Sequence, residues 1–219
     1  MSTVKSKKLQ VGTDATSTNN FTIYQPSTPD GTLRIGQGDA DSPTEVAKIT
    51  STGISSSGHI LQVVNKVIST QSSQTIGTTD TQIGTGTDFD ISITPQGAGS
   101  KFIVSARWFG EVVNAWNIVF NVQRDGVRVN SDGATASNRL GLSMATQTYG
   151  VTTNDSSTPE IMYLQTVDST GSSIGTAITY TLVAAGNVSN AMNTNKCFTA
   201  SGGGVETGIS ELMIMEVAA

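Results

Sequence analysis

Few side chains in this 219-residue chain are equipped for covalent or acid–base chemistry. There is one histidine and one cysteine. A Ser-His-Asp or Cys-His arrangement would have to use His59, which stands beside Gly58 and reads as an exposed linker residue. Cys197 lies in Lys196-Cys197-Phe198, a segment with strand character, and reads as a small buried apolar group. Asp39 and Asp41 have the spacing of two oxygen ligands of a calcium loop, as do Asp88 and Asp90. Neither pair has the Gly and the bidentate Glu that complete such a loop; turn chemistry accounts for the first and strand alternation for the second. Gly97-Ala98-Gly99-Ser100-Lys101 has the flavour of a phosphate loop but lacks the first Gly at the required spacing and precedes a strand. No catalytic group, cofactor or required metal is therefore expected. A polysaccharide-cleaving activity would need two carboxylates facing a groove, and no convincing pair stands out. Exposed aromatics could stack on sugar rings. Among Trp108, Phe109, Trp116, Tyr149 and Tyr163, core packing is the ordinary use, with Trp116 and Tyr149 kept as candidates for glycan contact.

The elements that would carry such residues are strands. Hydrophobic residues make up 36% and charged residues 13%, while Ser and Thr supply roughly a quarter and Gly 23 more. Val, Ile and Thr suit a pleated, half-buried surface, and Gly, Ser, Asn and Asp suit turns. The formal charge of −5 disfavours nucleic acid, because phosphate neutralisation needs clustered Lys and Arg. Lys5, Lys7 and Lys8 form the one basic cluster, read as a solvated terminus or a tether to an acidic protein surface. No apolar run is long enough to span a bilayer, and no N-terminal apolar core of a secretory signal stands out, so synthesis in a cytoplasm without membrane insertion is expected.

Two regions differ in texture. In residues 1–57, Phe21-Thr22-Ile23-Tyr24 and Thr32-Leu33-Arg34-Ile35 flank Pro29-Asp30-Gly31, a hairpin signature. Val46-Ala47-Lys48-Ile49 follows, and Ser51 to Gly58 reads as a flexible linker. The hairpin residues Phe21, Ile23, Tyr24, Leu33 and Ile35 are too few to balance the entropy of ordering the arm, so it is expected to be disordered, or held only by neighbouring subunits, until these residues anchor it on a partner surface. In residues 58–219 short alternating segments recur: Leu61–Val67, Phe89–Ile93, Phe102–Trp108, and Ile118–Val122 with Asp125-Gly126 as a hairpin turn before Val127 and Val129. Further strands are predicted at Leu140–Ala145, Glu160–Val167, Ile178–Val183, Lys196–Ala200 and Glu211–Val217. Nine or ten strands at this spacing predict an all-β fold: an N-terminal β-hairpin arm followed by a two-sheet, jelly-roll-like sandwich. The last strand, with Leu212, Met213, Ile214 and Met215, is apolar on both faces. One face suits the core. The other needs cover from its own chain or from a neighbouring subunit on a symmetry axis.

Two stretches resemble structural proteins of bacteriophages, particularly marine podoviruses and myoviruses infecting cyanobacteria and related hosts. Lys8-Leu9-Gln10-Val11-Gly12-Thr13, through Leu33-Arg34-Ile35-Gly36, to Val46-Ala47-Lys48-Ile49-Thr50-Ser51-Thr52-Gly53 is similar to N-terminal segments of phage fibre proteins. Ile60-Leu61-Gln62-Val63-Val64, Phe89 to Pro95, Gly99 to Val104 and Ser210 to Glu216 are similar to a C-terminal fibre module with the trimeric jelly roll of the complement C1q and tumour-necrosis-factor kind. The resemblance implies a virion component, a homotrimer joined to other capsid or tail proteins by residues 1–57, with an outward β head at residues 58–219. The lack of heptads or a long shaft favours a short fibre or capsid decoration. The rival expectation is a lectin-like tail-fibre module that recognises a host surface glycan.

Overall fold

The computed structural model describes residues 8–12, 14–16, 19–51, 53–113, 118–130, 141–144, 159–198 and 206–219. Among them the chain is all-β, with several antiparallel sheets and no helix. It divides into two compact units, Met1–Leu61 with Val217–Ala219, and Gln62–Glu216.

In the first unit the expected hairpin is present but is only part of the structure. β1 (Lys8–Val11), β2 (Phe21–Tyr24), β3 (Leu33–Gln37), β4 (Thr44–Thr50) and β5 (Gly53–Ser55) form one five-stranded antiparallel sheet in chain order. The turn between β2 and β3 follows from its residues. The Asp30 carboxylate accepts hydrogen bonds from the Thr32 backbone N–H (3.0 Å) and hydroxyl (2.6 Å), and pairs with Arg34 at 2.6 Å. The Thr32 bonds, then Arg34, hold the Asp30 carboxyl down to about 2. Gly31, at φ +80°, takes the left-handed position that a side chain resists. The segment expected to be a flexible linker instead contains β5, whose Gly53 and Ile54 oppose Thr50 and Ile49 across a tight turn.

Register sorts this sheet into two unlike faces, since residues opposite each other share a side. Leu9, Ile23, Ile35 and Ala47 form one cross-strand row; Val11 with Phe21, and Leu33 with Ile49 and Ile54, form the flanking rows on the same side. On the other side Lys8, Tyr24, Arg34 and Lys48 line up. Of the five arm residues singled out from sequence, Phe21, Ile23, Leu33 and Ile35 thus share the apolar face, while Tyr24 lies on the polar one.

The second unit contains β6 (Ile60–Ile68), β7 (Ser72–Ile76), β8 (Thr81–Gln82), β9 (Asp90–Ile93), β10 (Lys101–Val112), β11 (Ile118–Arg124), β12 (Val127–Arg128), β13 (Ser143–Met144), β14 (Glu160–Asp168), β15 (Ile178–Gly186), β16 (Asn190–Thr194) and β17 (Ser210–Val217). Sheet one runs β6-β17-β10-β16-β7, with β14 also paired to β10. Sheet two runs β12-β11-β15-β8, with β13 on β11 and β9 on β15. Alternation places Phe102, Val104, Ala106 and Trp108 of β10 inward, where they share one buried core with Ile118, Phe120 and Val122 of β11 and with Tyr180 and Leu182 of β15. The Trp108 and Phe120 rings lie 5.2 Å apart and the Phe102 and Tyr180 rings 6.0 Å apart, so aromatic contacts tie the two sheets together. Trp108 is fully buried because its indole N–H donates to Thr194 Oγ1 at 3.0 Å.

Packing is tight beside that indole. A β-carbon on Gly110 would stand 2.1 Å from the Asn193 carbonyl oxygen and 2.3 Å from the Trp108 ring. Gly110→Ala is expected to cost about 1–3 kcal/mol or more, because a backbone carbonyl and a locked ring must both give way. Chemical denaturation of the two proteins checks this; equal midpoints would contradict it.

Two strand expectations change. Lys196–Ala200 is not a strand within the described residues: the chain turns at Asn195 (φ +60°), and Lys196 makes only an isolated bridge to Thr207. Within Leu140–Ala145 the strand is Ser143–Met144.

Candidate functional site

The final strand separates into two sides. Leu212 and Ile214 point into the core and are 2% and 0% exposed; Met213 and Met215 alternate with them, half-buried on the outer face of sheet one. Leu212 and Ile214 are therefore core residues rather than interface residues. β17 looked apolar on both faces because one face belongs to the sandwich interior and the other to this outer surface.

That outer face is the main unexplained feature of the second unit. Opposite residues on β10 and β14 place Arg107 beside Tyr163, Phe109 beside Ile161, Ile103 beside Val167 and Ser105 beside Gln165. Tyr163 is 69% exposed and Ile161 55%, with Val167 and, on β6, Val63 and Val67 also exposed. Scattered exposed apolar side chains are normal, whereas here they lie on one sheet face. Polar residues on this face include Asn65, Gln165 and Ser105, which accepts a hydrogen bond from Gln165 Nε2 (3.1 Å), and Arg107 and Glu211, which line a shallow depression with Tyr163 and Met213.

The remaining polar groups hold the sandwich itself. The fully buried Glu216 carboxylate accepts the backbone N–H of Gln96 (3.0 Å) and of Gly97 (2.9 Å), and the Gln62 amide (2.6 Å). The glycine-rich turn that faintly suggested a phosphate loop thus presents its N–H groups to an anion of its own chain. Sequence reading missed this role, because a lone Glu near the end of an apolar strand looks solvent-facing; its inward position in the two-residue alternation was the available signal. Burial alone would raise the Glu216 carboxyl, but the Gln62 and backbone hydrogen bonds outweigh it and hold it below the ordinary range. A depressed carboxyl stabilises the fold above its unfolded-state value, and that contribution is lost as pH falls through the folded value. Glu216→Gln is expected to cost about 1.5–3 kcal/mol near neutral pH and to flatten the acid side of the stability–pH curve. Urea midpoints at several pH values check this; an unchanged acid side would contradict it.

The groups considered for chemistry take structural places. His59 is exposed, and its backbone pairs with Ala218. Cys197 is buried outside any strand and donates to the Glu206 carbonyl at 3.3 Å; burial first, then Glu111, Glu206 and Glu160, pushes the thiol up and keeps it protonated. Asp39 Oδ1 caps the Asp41 N–H (2.8 Å), and Asp41 pairs with Lys8 (3.0 Å). Asp88 caps Thr85, and Asp90 accepts from Gln82 and Thr181. Among the described residues no group of three or more His, Cys, Asp or Glu is placed to hold a metal ion. Trp116, Tyr149, Lys5 and Lys7 lie outside the described residues. No protein-family model matches the chain, and no curated protein matches it.

Proposed function

We propose that the chain is a non-catalytic structural subunit of a bacteriophage particle, a short fibre or capsid decoration protein, whose second unit associates as a homotrimer through the outer face of sheet one. The observation that carries this reading is the apolar surface formed by Val63, Val67, Ile161, Tyr163, Val167, Met213 and Met215. Such a face is stable once a copy covers it, and cyclic symmetry lets one patch serve every subunit. Strand order supports the C1q-like part of the reading. Taken in chain order, the principal strands β6, β9, β10, β11, β13, β14, β15 and β17 run first-eighth-third-sixth in one sheet and second-seventh-fourth-fifth in the other. That is the alternation expected of a jelly roll's two Greek keys. The resemblance of both units to phage fibre segments supports the virion location, with the first unit on the particle side.

The test is immunogold labelling of purified particles, using antibody raised to the chain. Label on the particle surface is expected. Label confined to infected-cell extract, with bare particles, would overturn the virion assignment.

A further inference from the structure

We infer that the apolar face of the β1–β5 sheet packs against the same face of other copies of this chain, building an inter-subunit apolar core. Leu9, Val11, Phe21, Leu33, Ile49 and Ile54 all lie on this side and are 37–61% exposed. The opposite side carries Lys8, Arg34 and Lys48, with Arg34 paired to Asp30 and to Glu45 (2.7 Å). The charges reach water on the opposite side, where Thr22 is already covered by the chain itself, so the apolar side is the one left needing cover.

A second copy is the occupant that fits. The six exposed side chains offer on the order of 600 Å² of apolar surface, close to the roughly 800 Å² per partner of a standard interface. They carry no charge, so nothing on the face selects a charged partner, and identical faces meet without the repulsion that the net charge of −5 would otherwise impose. Five strands at about 4.8 Å spacing make a wall about 24 Å wide; three such walls, apolar side inward, close a triangular prism filled by side chains. The number three rests on the trimer proposed above; the face-to-face packing rests on the register alone.

The test uses the full chain with Cys197→Ser as background, so that one introduced thiol is present. Ile35→Cys and Leu33→Cys place it on the apolar face, and Lys48→Cys on the charged face. Mild oxidation, and in parallel a short bis-maleimide, should link the first two into covalent dimers on a denaturing gel and leave the third unlinked. Native mass is measured on the same samples. A trimeric chain whose Ile35 and Leu33 variants stay unlinked, or whose Lys48 variant links instead, overturns this inference and leaves the trimer standing. A chain that is monomeric at tens of micromolar overturns both.

Discussion

Asp168→Ala is expected to destabilise the Gln62–Glu216 unit by about 3–5 kcal/mol, the cost of leaving one partner of a buried charged network alone. Asp168 is fully buried at the end of β14. One carboxylate oxygen accepts from Arg124 (3.0 Å) and from the Tyr180 hydroxyl (2.7 Å); the other accepts the Thr170 backbone N–H (2.9 Å) and hydroxyl. One side chain thus ties β11, β14 and β15 together. Burial alone would raise its carboxyl, but the Thr170, Tyr180 and Arg124 bonds prevail and hold it below the ordinary range. Its contribution is accordingly present above the unfolded carboxylate value and lost as pH falls through the lowered one. In the alanine variant the Tyr180 hydroxyl and a mostly buried guanidinium lose their common acceptor. Asp168→Asn keeps the shape and one acceptor oxygen and should lose less. Urea unfolding at neutral pH measures both; a loss under about 1 kcal/mol in the alanine variant would contradict the network's role.

The second large effect concerns association. Tyr163→Lys combined with Val167→Lys is expected to weaken subunit association about a thousandfold or more, because each interface would bury unpaired ammonium groups at several kcal/mol apiece. Both positions lie on the exposed face of β14, so the sandwich core keeps its contacts. The variant should therefore keep the parent's near-ultraviolet circular dichroism while dissociating at a far higher protein concentration than the parent, with the first unit's contact as the association that remains. Ile214→Asp is the contrasting change. Ile214 is 0% exposed in the chain's own core, so that variant should fail to fold at all rather than merely dissociate. A double-lysine variant that dissociates at the same concentration as the parent would show that the outer face of sheet one is not a contact.

What could be read beforehand depended on how locally each feature is encoded. Pro29-Asp30-Gly31 and Asp125-Gly126 specify turns by their own φ preferences. Asp125 and Gly126 indeed take φ +49° and +84°, and the flanking Arg124 and Val127 pair as expected. The β10 alternation likewise sorts inward from outward residues without help. β7, with sequence Ser-Ser-Gln-Thr-Ile, and β16, with Asn-Ala-Met-Asn-Thr, escaped notice because they carry little apolar signal. They are strands because each supplies the other's backbone partners, Met192 opposite Gln74 and Asn193 opposite Ser73. Lys196-Cys197-Phe198 misled in the opposite sense: Cys197 is buried and Phe198 half-buried in a loop that leaves β16 at Asn195, whose side chain bonds the Ile68 and Thr70 carbonyls.

The candidate surfaces were half legible for the same reason. An apolar run in β17 shows that both faces must be covered, but not which residues go inside. In the first unit, individual apolar residues were visible, whereas their common face was not. That face depends on the register of Leu9 with Ile23, Ile35 and Ala47 across three loops, and loop closure is not written in any one strand. β5 was hidden altogether by its Gly and Ser content. It is held by β4 rather than by its own propensity.

Light scattering coupled to size exclusion, on the full chain at several concentrations, tests self-association, because copies of the chain are the proposed cover for both apolar faces. A mass three times that of the chain, persisting on dilution to low micromolar concentration, is the predicted result. A single-chain mass across that range, in protein that is folded by circular dichroism, would contradict it.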